Sequence, residues 1–293
     1  MRNGTIPLRS RIAAAVIDVS PSWTVFAATK AVGAAARVPL PRPISRAAVE
    51  VYRRYFEVDL SDVAPESIQR GFSSFDEFFT RPLKPGARPI ESAPDFSLVS
   101  PCDGNIRSFG VLGEDMQVEA KGLRYSVEQL IGDASLAATL VGGTHVTIYL
   151  HPRDYHRVHA PVRGSVRRVV AIPGRLLPVN DAALDRNPEL FTVNERLVHV
   201  QDTETGPVVT VMVAAFGVGH MTCSYLGTRI HPKEVETFEC EPPVEIERGE
   251  ELGMFHLGST VVVLTGPGHV PAPDLEHGPT RLGIGILVRG GSA

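Results

Sequence analysis

Two patterns of apolar positions divide this 293-residue chain. Near the N terminus they recur at helical spacing. Trp23, Phe26 and Ala27 do so in one stretch, and Val49, Tyr52 and Phe56 share a face of "RAAVEVYRRYF". Between the two, "ARVPLPRPISR" (36–46) carries three prolines and reads as a hinge, after which Ser45 is placed to cap the second helix. Two further helix starts carry a capping-box spacing: Ser74-x-x-Glu77 in "SSFDEFFTRPL", stopped by Pro82, and Ser126-x-x-Gln129 in "YSVEQLIG". From Ser97 onward short β-branched runs take over. They predict strands at Val146–Leu150, Ser165–Ile172, Leu197–Gln201, Val208–Phe216, Thr260–Leu264 and Ile284–Val288. Residues 265–281, "TGPGHVPAPDLEHGPTR", read as a loop joining the last two. The expected fold class is α+β, with a helical N-terminal arm (1–60) on a β-rich body (61–293).

Composition agrees with that division. A 43% hydrophobic and 21% charged chain is an ordinary globular one, and 27 glycines with 24 prolines suit a turn-rich β body better than a helical bundle. Cys102, Cys223 and Cys240 show no CxxC spacing; they point to a reducing compartment and offer no disulfide framework or zinc knuckle. Cys102 reads as a small buried filler. Charge is uneven. Residues 1–54 hold nine bases against Asp18 and Glu50, net +7, and the remainder holds 20 bases and 31 acids, net −11. The arm is therefore expected to meet an anionic surface, while the acidic body argues against a general nucleic-acid binder. Val19–Thr29 is uncharged but only 11 residues long, too short to span a bilayer, and Asp18 interrupts any signal-peptide core. Two readings remain open for it: an interfacial helix, or one that packs Trp23 on the protein's own core.

Three features could carry chemistry. Gly258-Ser259 stands before the apolar Val261–Leu264, where a bulge or a strand-opening turn is the plain reading. "HPRDYHRVH" gathers His151, His156 and His159 just after a strand. Its spacing matches neither the helical HExxH pair nor a Cys/His finger, so a metal site ranks below a histidine base oriented by a carboxylate. Asp103, in "LVSPCDGNI", is a carboxylate candidate on what is otherwise a common Asp-Gly turn. Together these are the residue types of a Ser–His–Asp charge relay, although the serine lies outside any GxSxG nucleophile elbow.

From about Val38 to Val263 the chain resembles the prokaryotic phosphatidylserine decarboxylases. "FFTRPLKPGARPI" (78–90), "VSPCDGNI", "YLHPRDYHRVHAP" (149–161), "FTVNER" (191–196), "VAAFGVG" (213–219) and "GEELGMFHLGST" (249–260) stand in family order. The joint occurrence of "DYHRVHAP" and "LGST" is the specific part. One departure is "ERGEELG", where Arg248 stands in place of the family's common lysine.

The resemblance implies that the chain cuts itself between Gly258 and Ser259, leaving a β chain (1–258) and an α chain (259–293). Ser259 Oγ would attack the Gly258 carbonyl, with His159 as base and Asp103 fixing its tautomer. β-Elimination and hydrolysis would then convert Ser259 into a covalent pyruvoyl group, the only cofactor implied. Its ketone would form a Schiff base with phosphatidylserine and act as the electron sink for decarboxylation to phosphatidylethanolamine, with His156 the candidate proton donor. The expected location is peripheral, on the cytoplasmic side of the cell membrane, with a dimer of the processed pair as the family's common assembly. Two alternatives stay open: a pyruvoyl-dependent decarboxylase of a soluble amino acid, and a non-catalytic lipoyl-like β-barrel module.

Overall fold

The structure is a computed structural model that describes residues 22–91, 96–120, 123–179, 187, 189–216, 221–226, 228–230, 232–256 and 258–290. Helices α1 (Ser22–Arg37), α2 (Arg42–Phe56), α3 (Pro65–Arg70) and α4 (Phe75–Phe79) form the N-terminal region. Strands β1 (Phe96–Val99), β2 (Gly104–Val111), β3 (Gln117–Ala120) and β4 (Leu123–Ser126) precede α5 (Val127–Ile131) and α6 (Ala134–Ala138). Then come β5 (Thr144–Leu150), β6 (Arg157–His159), β7 (Gly164–Ile172), α7 (Leu190–Val193), β8 (Arg196–Thr203) and β9 (Gly206–Ala214). The chain closes with β10 (Met221–Cys223), β11 (Thr228–Ile230), β12 (Glu236–Ile246), β13 (Glu251–Phe255), β14 (Ser259–Thr265), β15 (His269–Pro271), β16 (Gly278–Thr280) and β17 (Gly285–Arg289).

The organising element is an antiparallel eight-stranded sheet in the order β12-β7-β8-β9-β14-β5-β2-β16, open at both edges. Its middle strands bury both faces. β14 is buried throughout, and β5, β8 and β9 nearly so. Covering on both sides explains why "STVVVLT" is continuously apolar after its first two residues instead of alternating. Smaller sheets pack around it: β11-β10-β13-β6, β1-β17-β15 and the β3-β4 hairpin. All six predicted strands are present, each within two residues of its expected ends.

The N-terminal helices follow from their amphipathic spacing. α2 turns Val49, Tyr52 and Phe56 onto Val58, Val63, Phe72, Phe75 and Phe78, and Tyr52 donates a hydrogen bond to the Pro152 carbonyl (3.1 Å). Ser74 caps α4 through the Glu77 N–H, and Ser126 caps α5 through the Gln129 N–H, as the spacing predicts. Glu77 itself reaches back to the Ser73 N–H.

Three expectations are corrected. Ser45 does not cap α2: the helix begins a turn earlier, with Pro43 in its first turn, and Ser45 Oγ donates to the Phe72 carbonyl (2.6 Å). Residues 265–281 are not all loop, because β15 and β16 add short strands to the edges of two sheets. Ser259 is neither in a bulge nor in a turn; it opens β14 in unbroken register with both neighbours. α1 carries Trp23 and Phe26, whose side chains lie outside the described residues, as does Asp18. Among the described residues no helix is long and apolar enough to cross a membrane.

Candidate active site

Ser259 is fixed by sheet geometry. It pairs with Ala214 of β9 on one side and Leu150 of β5 on the other, at the end of both neighbours. Its side chain is fully buried, and Oγ has no hydrogen-bond partner among the described residues. A buried hydroxyl without a partner is costly and therefore uncommon. At Gly258 an added Cβ would first meet the Phe216 carbonyl oxygen at 3.9 Å, so the backbone is uncrowded on the side-chain side of the residue before Ser259. The β9 end beside Ser259 is held by Asn194. Its Nδ2 donates to the carbonyls of Leu177 and Ala214 (2.9 Å each), and its Oδ1 accepts from the Leu177 N–H (3.1 Å).

The histidine cluster grows from the other neighbour of Ser259. β5 ends at Leu150, and residues 151–154 turn back, with the His151 N–H donating to Asp154 Oδ2 (2.7 Å) and the Asp154 N–H to the His151 carbonyl. His156 is fully buried beneath the Phe79 ring (centroids 4.1 Å apart) and bonds the Asp154 carbonyl through Nδ1 (2.9 Å). Its Nε2 has no hydrogen-bond partner among the described residues. With Nδ1 as donor, Nε2 carries a lone pair, and burial pulls the ring's pKa down to about 3, so His156 is neutral at pH 7. His159, on β6, bonds the Gly249 carbonyl through Nδ1 (2.8 Å) and Tyr155 Oη through Nε2 (3.3 Å). Burial lowers its pKa as well.

Asp103 lies close by in the chain's course, since the His159 N–H bonds the Pro101 carbonyl (2.8 Å). The expected Asp103–His159 hydrogen bond is nevertheless not formed. Asp103 is gripped by Arg88 through Nε and Nη2 (2.6–3.1 Å) and accepts the Leu282 N–H (2.9 Å). Arg88 also bonds Asp62 (2.8 Å). The group that orients His159 is a backbone carbonyl instead, presented by a turn where Gly249 has φ +83°. A side chain there would strike Ile90 Cδ1 at 2.6 Å, so glycine is required. Asp103 acts on His159 only through its charge, which raises the ring's pKa against the larger effect of burial.

Residue-by-residue reading passed over three positioning groups. Asn194 was visible only as a polar residue after an apolar run, and Gly249 only as a turn residue. His256, two residues before Gly258, bonds Asp76 Oδ1 through Nδ1 and Thr222 Oγ1 through Nε2 (2.7 Å each), tying α4 to the end of β13. Among the described residues no group of three His, Cys, Asp or Glu is arranged to hold a metal ion. Cys102 is fully buried, and burial raises its thiol pKa, consistent with a filler.

A sequence model of the phosphatidylserine decarboxylase family matches residues 75–291. A phosphatidylserine decarboxylase proenzyme from Pseudomonas aeruginosa is 43% identical over 240 residues, 79% of this chain and 82% of the relative. One from Myxococcus xanthus is 40% identical over 263 residues, 87% and 92% of the two chains, and one from Pseudomonas fluorescens is 41% identical over 243 residues, 80% and 84%. The matched span runs from α4 through the histidine cluster to β17 and includes the Gly258-Ser259 step at the head of the central strand. With that much of its length matched, this chain belongs to the phosphatidylserine decarboxylase family.

Proposed function

We propose that this protein decarboxylates phosphatidylserine to phosphatidylethanolamine, after cutting itself between Gly258 and Ser259 and turning Ser259 into a pyruvoyl group. The observation that carries the reading is Ser259 itself: a fully buried hydroxyl with no partner among the described residues, directly after an uncrowded glycine. A pyruvoyl group fits that position, because forming it removes the orphaned hydroxyl: Oγ leaves with the Gly258 acyl group on β-elimination, and the side chain that remains in the buried pocket is a methyl. In the precursor, Ser259 Oγ attacks the Gly258 carbonyl. His159 Nε2 is the base, its Nδ1–H fixed by Gly249 and its cationic form favoured by the charge of Asp103. The ketone supplies an electron sink for the pair left by the departing carboxylate.

The chain's own residues then manage protons and exclude water. His156 is neutral with a free Nε2, so it must gain a proton before it can give one. It takes the proton shed by the substrate ammonium and returns it to the α-carbon once CO2 has left. Phe79 covers the ring and keeps this exchange from bulk water. Residues 61–293 form the decarboxylase domain and residues 1–60 the membrane-associating region. On α2, Ile44, Val51 and Tyr55 are exposed at helical spacing, with Arg42, Arg46 and Arg54 on the same helix. That pattern suits peripheral docking on an anionic, cytoplasmic-side leaflet.

Intact mass measurement tests the reading. The wild-type protein should yield a 35-residue C-terminal fragment beginning with a carbonyl-reactive residue. Ser259→Ala should remain one uncut, inactive chain, and His159→Ala should cut at least about 10²-fold more slowly, the usual worth of general-base assistance. A single uncut polypeptide that is nevertheless active would refute the proposal.

A further inference from the structure

Beside the histidine cluster lies a polar cavity of about 380 Å³, lined among others by Arg81, Arg88, Asp103, Tyr149, His151 and Tyr155. Arg81, from "FFTRPL", is 3% exposed. Its Nη2 donates to the carbonyls of Arg153 (3.1 Å) and Asp154 (3.2 Å), while Nε and Nη1 are buried with no hydrogen-bond partner among the described residues. The guanidinium lies over the Phe78 ring (5.4 Å to the centroid), which favours the cation but leaves both N–H donors unused, and an anion would complete them. The protein's own carboxylates do not: Arg88 engages Asp62 and Asp103, Asp154 accepts the His151 N–H, and Arg81 forms no ion pair among the described residues. Arg81 is also aligned with the chemistry. Its Nη2 and His156 Nδ1 meet at the same oxygen, the Asp154 carbonyl, and Phe79 two residues earlier covers the His156 ring.

The substrate class named above, on which this inference rests, offers two anions. A clamp on the carboxylate would stabilise the ground state more than the transition state, because that charge is leaving; it would slow the reaction. The phosphodiester keeps its charge throughout. We propose that Arg81 anchors the phosphodiester of the lipid headgroup beside His156 and so makes the enzyme specific for a phosphorylated serine. Binding that is equal in ground and transition states appears in KM and leaves kcat alone.

The test uses the mature protein in detergent mixed micelles, following CO2 release from phosphatidylserine in competition with glycerophosphoserine, inorganic phosphate or L-serine. In the wild type, glycerophosphoserine should compete at least about tenfold better than serine, and Arg81→Gln should raise KM by about 10- to 100-fold, the range for losing hydrogen bonds to a charged group. Its kcat should change less than about threefold, and Arg81→Lys should recover part of the KM. Glycerophosphoserine competing no better than serine overturns the proposal even if the variants fail to fold. So does inorganic phosphate competing where glycerophosphoserine does not, which would mark a site for the free anion. A fall in kcat at unchanged KM would make Arg81 only a support for the 151–154 turn. Were the wild-type protein to release no CO2, the decarboxylase reading would fail instead. Calorimetric binding of glycerophosphoserine, weakened at least about tenfold by Arg81→Gln, judges Arg81 separately.

Discussion

Mild acid should destabilise this protein by about 4 kcal/mol before its low-pKa carboxylates titrate. His145, His156 and His199 are buried at 4% exposure or less, and each keeps a ring nitrogen without a hydrogen-bond partner among the described residues: Nδ1 of His145, Nε2 of His156 and Nε2 of His199. Burial holds their folded pKa values at about 4, 3 and 3. In the unfolded chain a histidine titrates near 6.5, so below that pH the unfolded state binds protons that the folded state refuses. Stability is therefore untouched above pH 6.5 and falls as pH drops below it, down to the folded values. Between pH 7.5 and 5.5 each ring costs about 1.4 kcal/mol, and the three together about 4 kcal/mol. That is a large share of the roughly 5–15 kcal/mol that holds a domain folded. The carboxylates held low, such as Glu50 and Asp133 at about 2, lose their contribution only at more acid pH and do not enter this window. The assay is urea unfolding of Ser259→Ala, a single chain, followed by far-ultraviolet circular dichroism at the two pH values. His199→Gln removes one of the three rings and should reduce the loss by about 1.4 kcal/mol. A change below about 1.4 kcal/mol in the parent protein would show that the rings are not buried in neutral form.

Two further outcomes follow from the topology and the helices. After cleavage the α chain should stay bound: β14 lies between β9 and β5, β17 between β1 and β15, and Leu282 donates to Asp103. Its buried Val261–Leu264, Ile286 and Leu287 each contribute about 1.5–3 kcal/mol, an upper estimate, so size-exclusion chromatography should separate the fragments only in denaturant; separation in plain buffer would contradict the interleaved sheet. On anionic liposomes, Val51→Asp with Tyr55→Asp should lower flotation at least about tenfold, because two apolar contacts and local charge balance are lost together. Equal flotation would remove α2 from the membrane face.

Several features were legible along the chain because their physics is local. Capping at Ser74 and Ser126 depends on a side chain and an N–H three residues on. The apolar face of α2 and the apolar run of β14 report burial directly. Reading Ser45 as a cap failed because a proline one turn earlier is itself a good helix start. β15 and β16 were missed because three-residue edge strands rich in glycine and proline have no periodicity to read.

The site divides in the same way. Sequence by itself determined the family and the candidate residues: a glycine followed by serine before a core strand, two histidines three residues apart, and a family pattern too specific for chance. Tertiary structure alone decided what each group touches. Asp103, expected on His159, is held by Arg88; Gly249, ninety residues from His159, supplies the orienting carbonyl; Arg81 and His156 meet on the Asp154 carbonyl. Spacing along a chain fixes contacts only within a turn or a strand, whereas a buried hydrogen bond is settled by whichever partner the packed sheets bring within 3 Å or so.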